Sequence, residues 1–93
     1  MATFVISFEL NRPSLNYDKL RSAVESAENW WHCLDKTWIV QTDATATDIA
    51  TEMWALMDPT DKLFVAQLGT DTAWAGFTGR CEKWLSKNVR AKR

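Results

Sequence analysis

The sequence TFVISFEL occupies residues 3–10 and alternates strictly between two sets of side chains. The first set is Phe4, Ile6, Phe8 and Leu10, and the second is Thr3, Val5, Ser7 and Glu9. A period of two is typical of a β-strand that buries one face. We therefore predict a first strand here, with the aromatic and aliphatic set directed into the core.

A helix is predicted after a break that Pro13 enforces. Proline cannot donate to a strand ladder and restricts the residue before it, so residues 11–14 end the strand. The helix is expected from about Tyr17, with Asn16 as its N-cap and Asp18 near the positive end of its dipole. Its predicted buried face consists of Leu20, Ala23, Val24 and Ala27.

A β-hairpin is predicted next. Residues 30–34 and 37–42 are rich in aromatic and β-branched side chains, and the dipeptide Asp35-Lys36 joins them. A polar link of two residues is the commonest tight connection between antiparallel strands. Both runs are therefore expected to lie side by side in one sheet.

A second amphipathic helix is expected after the hairpin. Thr45 and Asp48 stand three residues apart, which is the spacing of a capping box with Asp in place of the usual Glu. The predicted end of the helix is Asp58-Pro59. Its apolar face is supplied by Ile49, Met53, Leu56 and Met57.

The last third of the chain is predicted to hold one clear strand and two shorter elements. Residues 62–68 are apolar on both alternating faces, which favours a strand that is covered on both sides. Residues 72–77 are expected to form a short fifth strand at an edge of the sheet. A brief helix is expected from about Gly79, before the basic end of the chain.

Taken in chain order, these elements predict an α+β fold. The order strand, helix, strand, strand, helix, strand is that of a ferredoxin-like βαββαβ sandwich, a four-stranded antiparallel sheet with two helices on one face. A short extra C-terminal strand and helix complete it. We expect residues 1–78 to form the ferredoxin-like domain and residues 79–93 to form a short helix and a basic tail.

The sheet face that carries no helix is expected to need a cover. Alternate side chains of the strands would leave that face partly apolar, and the chain has six Trp, more than one small core holds. Burial of apolar area favours a second copy of the chain, so we predict a homodimer. The predicted interface residues are Val5, Trp30, Trp31, Trp38 and Phe64.

Charge is unevenly distributed along the chain. Residues 80–93 hold six Lys and Arg and one acid, a sum of +5, so the net charge of −1 leaves −6 on residues 1–79. Two interpretations are open: the cations contact nucleic acid, or they lie near the chain's own acidic surface. The candidates for nucleic-acid binding are Arg12, Arg80, Lys83, Lys87 and Arg90.

Cys33 and Cys81 are the only cysteines. They form neither a CxxC pair nor a ligand cluster, so no structural zinc site is expected. No apolar run is long enough to span a membrane, and residues 1–10 lack the charged start and cleavage pattern of a secretion signal. We therefore expect a cytoplasmic protein without membrane contact, in which both thiols are buried and reduced.

Three stretches resemble the small CRISPR-associated adaptation subunit, the second Cas protein, together with the VapD-type toxin ribonuclease and small SinR-like proteins. Residues 4–10 are similar to that family's opening strand, an aliphatic run followed by Ser, an aromatic residue and an acid. Residues 37–42 resemble its third strand. Residues 61–68 resemble its fourth strand, where an Asp precedes the strand that pairs beside the first.

This resemblance implies a nucleic-acid-associated homodimer and a metal-dependent endonuclease that acts on RNA or DNA. In the family, the acid that closes the first strand is usually Asp and is proposed to hold a metal ion at the two-fold axis; Glu9 occupies this position. Two Glu9 carboxylates would share Mg²⁺ or Mn²⁺, which activates water against a phosphodiester. Ser7 is the candidate donor to phosphate, and His32 is the candidate proton carrier.

Each of these candidates also has a plainer interpretation. Glu9 is then a solvated acid at a strand end, Ser7 bonds a neighbouring side chain, and His32 lies at a surface or interface. The Trp residues of the hairpin either stack on bases or fill core and dimer contacts. On this interpretation the chain is a non-catalytic interaction or regulatory subunit that docks protein partners through a Trp-rich surface.

Overall fold

A computed structural model of the protein describes residues 1–11 and 17–89. The fold class is α+β, as predicted. The strands are β1 (Ala2–Glu9), β2 (Asn29–Leu34), β3 (Thr37–Thr42) and β4 (Lys62–Gln67), and the helices are α1 (Asp18–Glu25), α2 (Ala46–Trp54) and α3 (Gly79–Asn88). Within the described ranges, no helix has both the length and the apolar character needed to cross a bilayer.

The four strands form one open antiparallel sheet in the order β2-β3-β1-β4. Strand β1 lies inside the sheet and pairs with β3 on one side and with β4 on the other. The predicted hairpin is confirmed, because β2 pairs with β3 across Asp35-Lys36, with a register shift between Trp31 and Leu34. Strands β2 and β4 are therefore the two edges of the sheet.

The even-numbered side of β1 packs against α1 and α2. Phe4 and Ile6 are buried there with Leu20 and Val24 of α1 and with Met53 of α2. The alternation that predicted the first strand is therefore confirmed, and both helices lie on the same side of the sheet. We term this side the helix face and the opposite side, which carries Thr3, Val5 and Ser7, the back face.

Helix α2 begins with the predicted capping box. Thr45 Oγ1 accepts a hydrogen bond from Asp48 N (3.1 Å), and Asp48 Oδ2 accepts one from Thr45 N (3.3 Å). Helix α1 begins differently, because its N-cap is Tyr17, whose side chain makes no capping hydrogen bond. The predicted cap, Asn16, lies outside the described residues.

Half of the back face is covered by the C-terminal part of the chain. Leu85 and Val89 are buried against Trp31 of β2 and Ile39 of β3. The predicted fifth strand is wrong, because residues 72–77 form no strand. Their large side chains, Trp74 and Phe77, are partly buried by packing onto the back face instead of extending the sheet. The partly buried residues that join this second core are Cys33, Leu68, Trp74, Phe77, Cys81 and Trp84.

Strand β4 is covered on one face only, so the prediction of a strand covered on both sides is wrong. Leu63 and Val65 pack against the core of the helix face. On the back face, Phe64 keeps 65% of its surface exposed. The reason is that α3 lies over β2, at the opposite edge, and its cover does not reach β4.

Candidate functional site

Helix α3 is fastened to the back face by a disulfide bond between Cys33 of β2 and Cys81. Their Cα atoms are 6.2 Å apart, and Trp31 Nε1 donates a hydrogen bond to Cys81 O (3.1 Å) beside them. The predicted pair of reduced thiols is therefore wrong. The packing of α3 over β2 joins two residues that are 48 positions apart, and neither local pattern nor spacing indicates that contact.

A polar network holds the other end of α3 against the sheet. Asn29 Nδ2 donates to Gln41 Oε1 (2.9 Å) and to Asn88 Oδ1 (3.1 Å). Trp84 Nε1 donates to Asn29 Oδ1 (2.9 Å). Because these groups are partly buried, a loss of any one bond would leave its partner unsatisfied. The helix is therefore held in one defined rotation about its axis.

That rotation turns three cations of α3 towards solvent. Arg80, Lys83 and Lys87 stand at positions i, i+3 and i+7, and all three are exposed, whereas Leu85 is buried against the sheet. At about 1.5 Å per residue, they extend over roughly 10 Å of the helix axis. We term these three residues the basic face. The other two predicted cations, Arg12 and Arg90, lie outside the described residues.

The opposite side of the sheet carries the opposite charge. Residues 37–61 contain five Asp and Glu and no Lys or Arg. Within this stretch, Asp48 and Glu52 are exposed on α2, which lies on the helix face. The acids of α2 and the cations of α3 therefore lie on opposite sides of the sheet, and α1, on the same side as α2, also carries exposed Lys19 and Arg21. An approaching anion is attracted to the side of α3.

The predicted catalytic residues lie on different faces of the sheet. Ser7 and Glu9 belong to the back face of β1, where Ser7 Oγ lies 3.3 Å from Thr37 Oγ1. His32 lies on the helix face of β2, and its ring stacks on Trp38 with 3.7 Å between centroids. The structure therefore brings Ser7 and Glu9 together but does not bring His32 to them.

Glu9 lacks the neighbours that a metal site needs within one chain. It is exposed at the end of β1, and its partner across the ladder is Lys62, a cation. Among the described residues, no three His, Cys, Asp or Glu side chains lie close enough to hold a metal ion together. Within the described residues of one chain, Glu9 is therefore not part of a ligand set for Mg²⁺ or Mn²⁺. A second carboxylate would have to come from another copy.

The predicted interface residues are scattered over three environments. Trp31 and Trp38 are buried, one in each core, so neither is available at a surface. Trp30 is exposed but lies on the helix face, where its ring is 5.5 Å from that of Trp38. Only Val5 and Phe64 remain together on the uncovered half of the back face.

A cavity of about 420 Å³ lies beside the hairpin, but its charges do not select an anion. Its aromatic lining includes Tyr17, His32 and Trp38, and its charged lining is Arg21, Lys36, Asp18 and Asp35. Two cations and two carboxylates balance each other, so the cavity offers no net attraction to phosphate. The candidate interface is therefore the basic face.

Two polar residues that organise the molecule had no predicted role. Asn29 is the centre of the network under α3, and Asp61 is a buried carboxylate that accepts hydrogen bonds from several backbone and side-chain donors. The role of Asn29 could not be predicted from the sequence, because its hydrogen-bond partners are remote along the chain. Asp61 gave a partial signal, since an Asp between a Pro-containing turn and a strand often bonds nearby backbone N–H groups.

No protein-family model matches this chain, and neither the curated proteins nor the solved structures contain a match to it. The resemblance to the adaptation subunit and to VapD therefore depends on residues 4–10, 37–42 and 61–68 alone.

Proposed function

We propose that this chain is a ferredoxin-like, homodimeric protein that binds nucleic acid through the basic face of α3. The observation that carries the proposal is the outward projection of Arg80, Lys83 and Lys87 from a helix whose other side is fixed to the sheet. A fixed helix presents its cations at defined positions, so less ordering is required when an extended anion binds.

The spacing of these cations suits a phosphate backbone. A duplex carries one phosphate per strand for about every 3.4 Å of its axis, so three cations spread over roughly 10 Å can contact up to about three phosphates. Contacts to phosphate position a protein but carry no sequence information. Binding is therefore expected to be independent of sequence and strongly dependent on salt.

Binding is supported better than cleavage. The resemblance implies an endonuclease, but cleavage would require a water-activating group near a phosphate, and Ser7, Glu9 and His32 are divided between the two faces. RNA and DNA both offer the phosphates that the basic face would contact. The proposed function is therefore binding of RNA or DNA without a requirement for a metal.

The test is fluorescence anisotropy with labelled single-stranded RNA, single-stranded DNA and duplex DNA over a salt series. Three phosphate contacts predict a slope of log K against log salt of roughly −2 to −3. Lys83→Glu/Lys87→Glu should weaken binding at least about tenfold and flatten that slope. Lys19→Glu/Lys36→Glu is the matched control, because it changes net charge equally at exposed sites away from α3.

Two results would contradict the proposal. One is the absence of salt-dependent binding to any of the three ligands. The other is an equal loss in both double variants, which would mean that net charge and not the basic face determines binding.

A second candidate function is a non-catalytic subunit that docks protein partners. It is favoured by Trp30 and Trp54, the two exposed Trp residues in the described part of the chain. Exposed aromatic side chains are common anchors of protein interfaces. If Trp30→Ala/Trp54→Ala abolished binding of an identified protein partner while nucleic-acid binding by the natural chain was undetectable, this function would replace the first.

A further inference from the structure

Strand β4 is an edge strand whose outer backbone groups follow a regular pattern. Leu68 N donates to Thr3 O (2.8 Å), and Phe8 N donates to Lys36 O (3.1 Å). Bonded and non-bonded pairs alternate along an antiparallel ladder, so the odd-numbered residues of β1 bond β4 and the even-numbered ones bond β3. It follows that alternate residues of β4 direct N–H and C=O away from the sheet. These residues are Leu63, Val65 and Gln67.

The two edges of the sheet differ in how they are protected. Strand β2 has a register shift between Trp31 and Leu34, and α3 is bonded to it through Cys33. Strand β4 pairs with β1 without a shift, and its one charged residue is Lys62, at its first position. Bulges, covering helices and central charges are the usual devices that prevent edge pairing. Strand β4 has neither a bulge nor a central charge, and the helix that contacts it, α2, packs on its helix face.

Exposed aromatic side chains flank the β4 edge on both faces of the sheet. Phe64 is 65% exposed on the back face, and Trp54 of α2 is 45% exposed on the helix face. Trp54 shares an open depression of about 510 Å³ with Lys62 and Leu63, which places it beside the start of β4. Since aromatic side chains present about 150–250 Å² each, the two expose roughly 200 Å² per copy.

We propose that β4 pairs antiparallel with β4 of a second copy, so that two four-stranded sheets form one continuous sheet about a two-fold axis at Val65. This inference rests on the homodimer of the proposed function and specifies its interface. In this register Val65 pairs with Val65 of the partner copy, and Leu63 pairs with Gln67 of the partner copy. Each pair exchanges two backbone hydrogen bonds, so every outward group of β4 is satisfied.

The side chains are compatible with this self-pairing. Phe64 lies opposite Ala66 of the partner copy and diagonal to the partner copy's Phe64, within reach of aromatic contact. Lys62 lies opposite Leu68 of the partner copy, so no like charges face each other. The interface would bury the exposed aromatic surface of both copies together with the paired edges of the two strands, each about 20 Å long. An interface of this area is small, so we expect a dissociation constant in the micromolar range.

The test is sedimentation velocity across a micromolar to sub-millimolar concentration series of the full chain. Phe64→Lys and Trp54→Lys act on opposite faces of the sheet but flank the same edge, so each should weaken association at least about tenfold. Leu34→Lys is the control, because Leu34 is an exposed apolar residue at the other edge. Its association should equal that of the natural chain.

Amide hydrogen exchange provides a readout that does not depend on substitution. The amides of Leu63, Val65 and Gln67 should exchange more slowly as concentration rises, because only edge pairing bonds them. Stacked back faces would instead leave these amides unprotected, and only Phe64→Lys would weaken association. That pair of results would overturn the edge interface.

The outcomes separate this inference from the proposed function. A single monomeric species at every concentration would overturn the homodimer and the edge interface together. Association with unprotected β4 amides would overturn the edge interface alone. Nucleic-acid binding through α3 is measured independently, with variants that do not touch β4.

Discussion

Tyr17 Oη donates to both carboxylate oxygens of Asp61, at 3.2 and 3.0 Å. The same carboxylate accepts from Asn11 N (2.7 Å) and Asp58 N (2.8 Å), and Asp61 is only 5% exposed. One buried anion therefore joins the end of β1, the start of α1 and the turn before β4. Such a group is stabilising only while its hydrogen bonds are intact.

We expect Asp61→Ala to lower the free energy of unfolding by about 3–5 kcal/mol, because it removes several charge-assisted hydrogen bonds and leaves backbone donors unsatisfied. Asp61→Asn should cost less, since one oxygen remains, and Tyr17→Phe should cost about 1–2 kcal/mol. Urea denaturation followed by Trp fluorescence measures all three. A loss below about 1 kcal/mol for Asp61→Ala would show that the network contributes little to stability.

The disulfide yields a prediction about α3. Replacement of Cys33 and Cys81 by Ser removes a crosslink over 48 positions and should cost up to about 4 kcal/mol. Trypsin should then cleave faster after Arg80, Lys83 and Lys87, because α3 opens more often. In excess reductant, the natural chain should be cleaved as fast as the double variant. The stability of the double variant should not change when reductant is added. Unchanged cleavage after reduction would mean that the polar network alone holds α3.

The elements that the sequence predicted correctly are those encoded by neighbours along the chain. Alternation at residues 3–10 predicted β1, and Thr45 with Asp48 predicted both bonds of the capping box. In both cases the residues that form the pattern are also the residues that make the contact. Periodicity and cap chemistry are local, so they can be read without knowing the rest of the fold.

The elements that the sequence predicted wrongly depend on remote contacts. Trp74 and Phe77 have the composition of a strand, but burial against the back face satisfies them without a ladder. The same layer joins Cys33 to Cys81 and leaves Phe64 uncovered. The homodimer was predicted because no other part of the chain was expected to cover the back face. Because α3 covers half of that face, the apolar surface that remains is concentrated near β4.

The capping box of α2 should contribute a measurable amount to the free energy of unfolding. Thr45→Ala removes the acceptor of Asp48 N and should cost about 1 kcal/mol. Asp48→Ala removes the reciprocal bond to Thr45 N, and the double variant should cost less than the sum of the two changes. Thr47→Ala, at an exposed position of the same helix, is the control and should be near neutral. Strict additivity would show that the two bonds form independently.

The position of Glu9 distinguishes the edge dimer from the metal site that the resemblance implies. Pairing of β4 about Val65 places each Glu9 one strand and about three residues away from the axis, so the two carboxylates are roughly 25 Å apart. Carboxylates at that distance cannot share one metal ion. We therefore expect RNA and DNA to stay intact with Mg²⁺ or Mn²⁺, and Glu9→Ala to bind nucleic acid as the natural chain does.

Cleavage by the natural chain that is lost in Glu9→Ala would contradict this arrangement. It would require the two Glu9 side chains to meet, and only stacked back faces allow this. Phe64→Lys should then reduce cleavage, whereas Trp54→Lys should leave it unchanged. Equal cleavage by the natural chain and Glu9→Ala would instead mean that Glu9 takes no part in cleavage. Cleavage by Glu9→Ala, Phe64→Lys and Trp54→Lys therefore tests both how the two copies pair and whether Glu9 acts in cleavage.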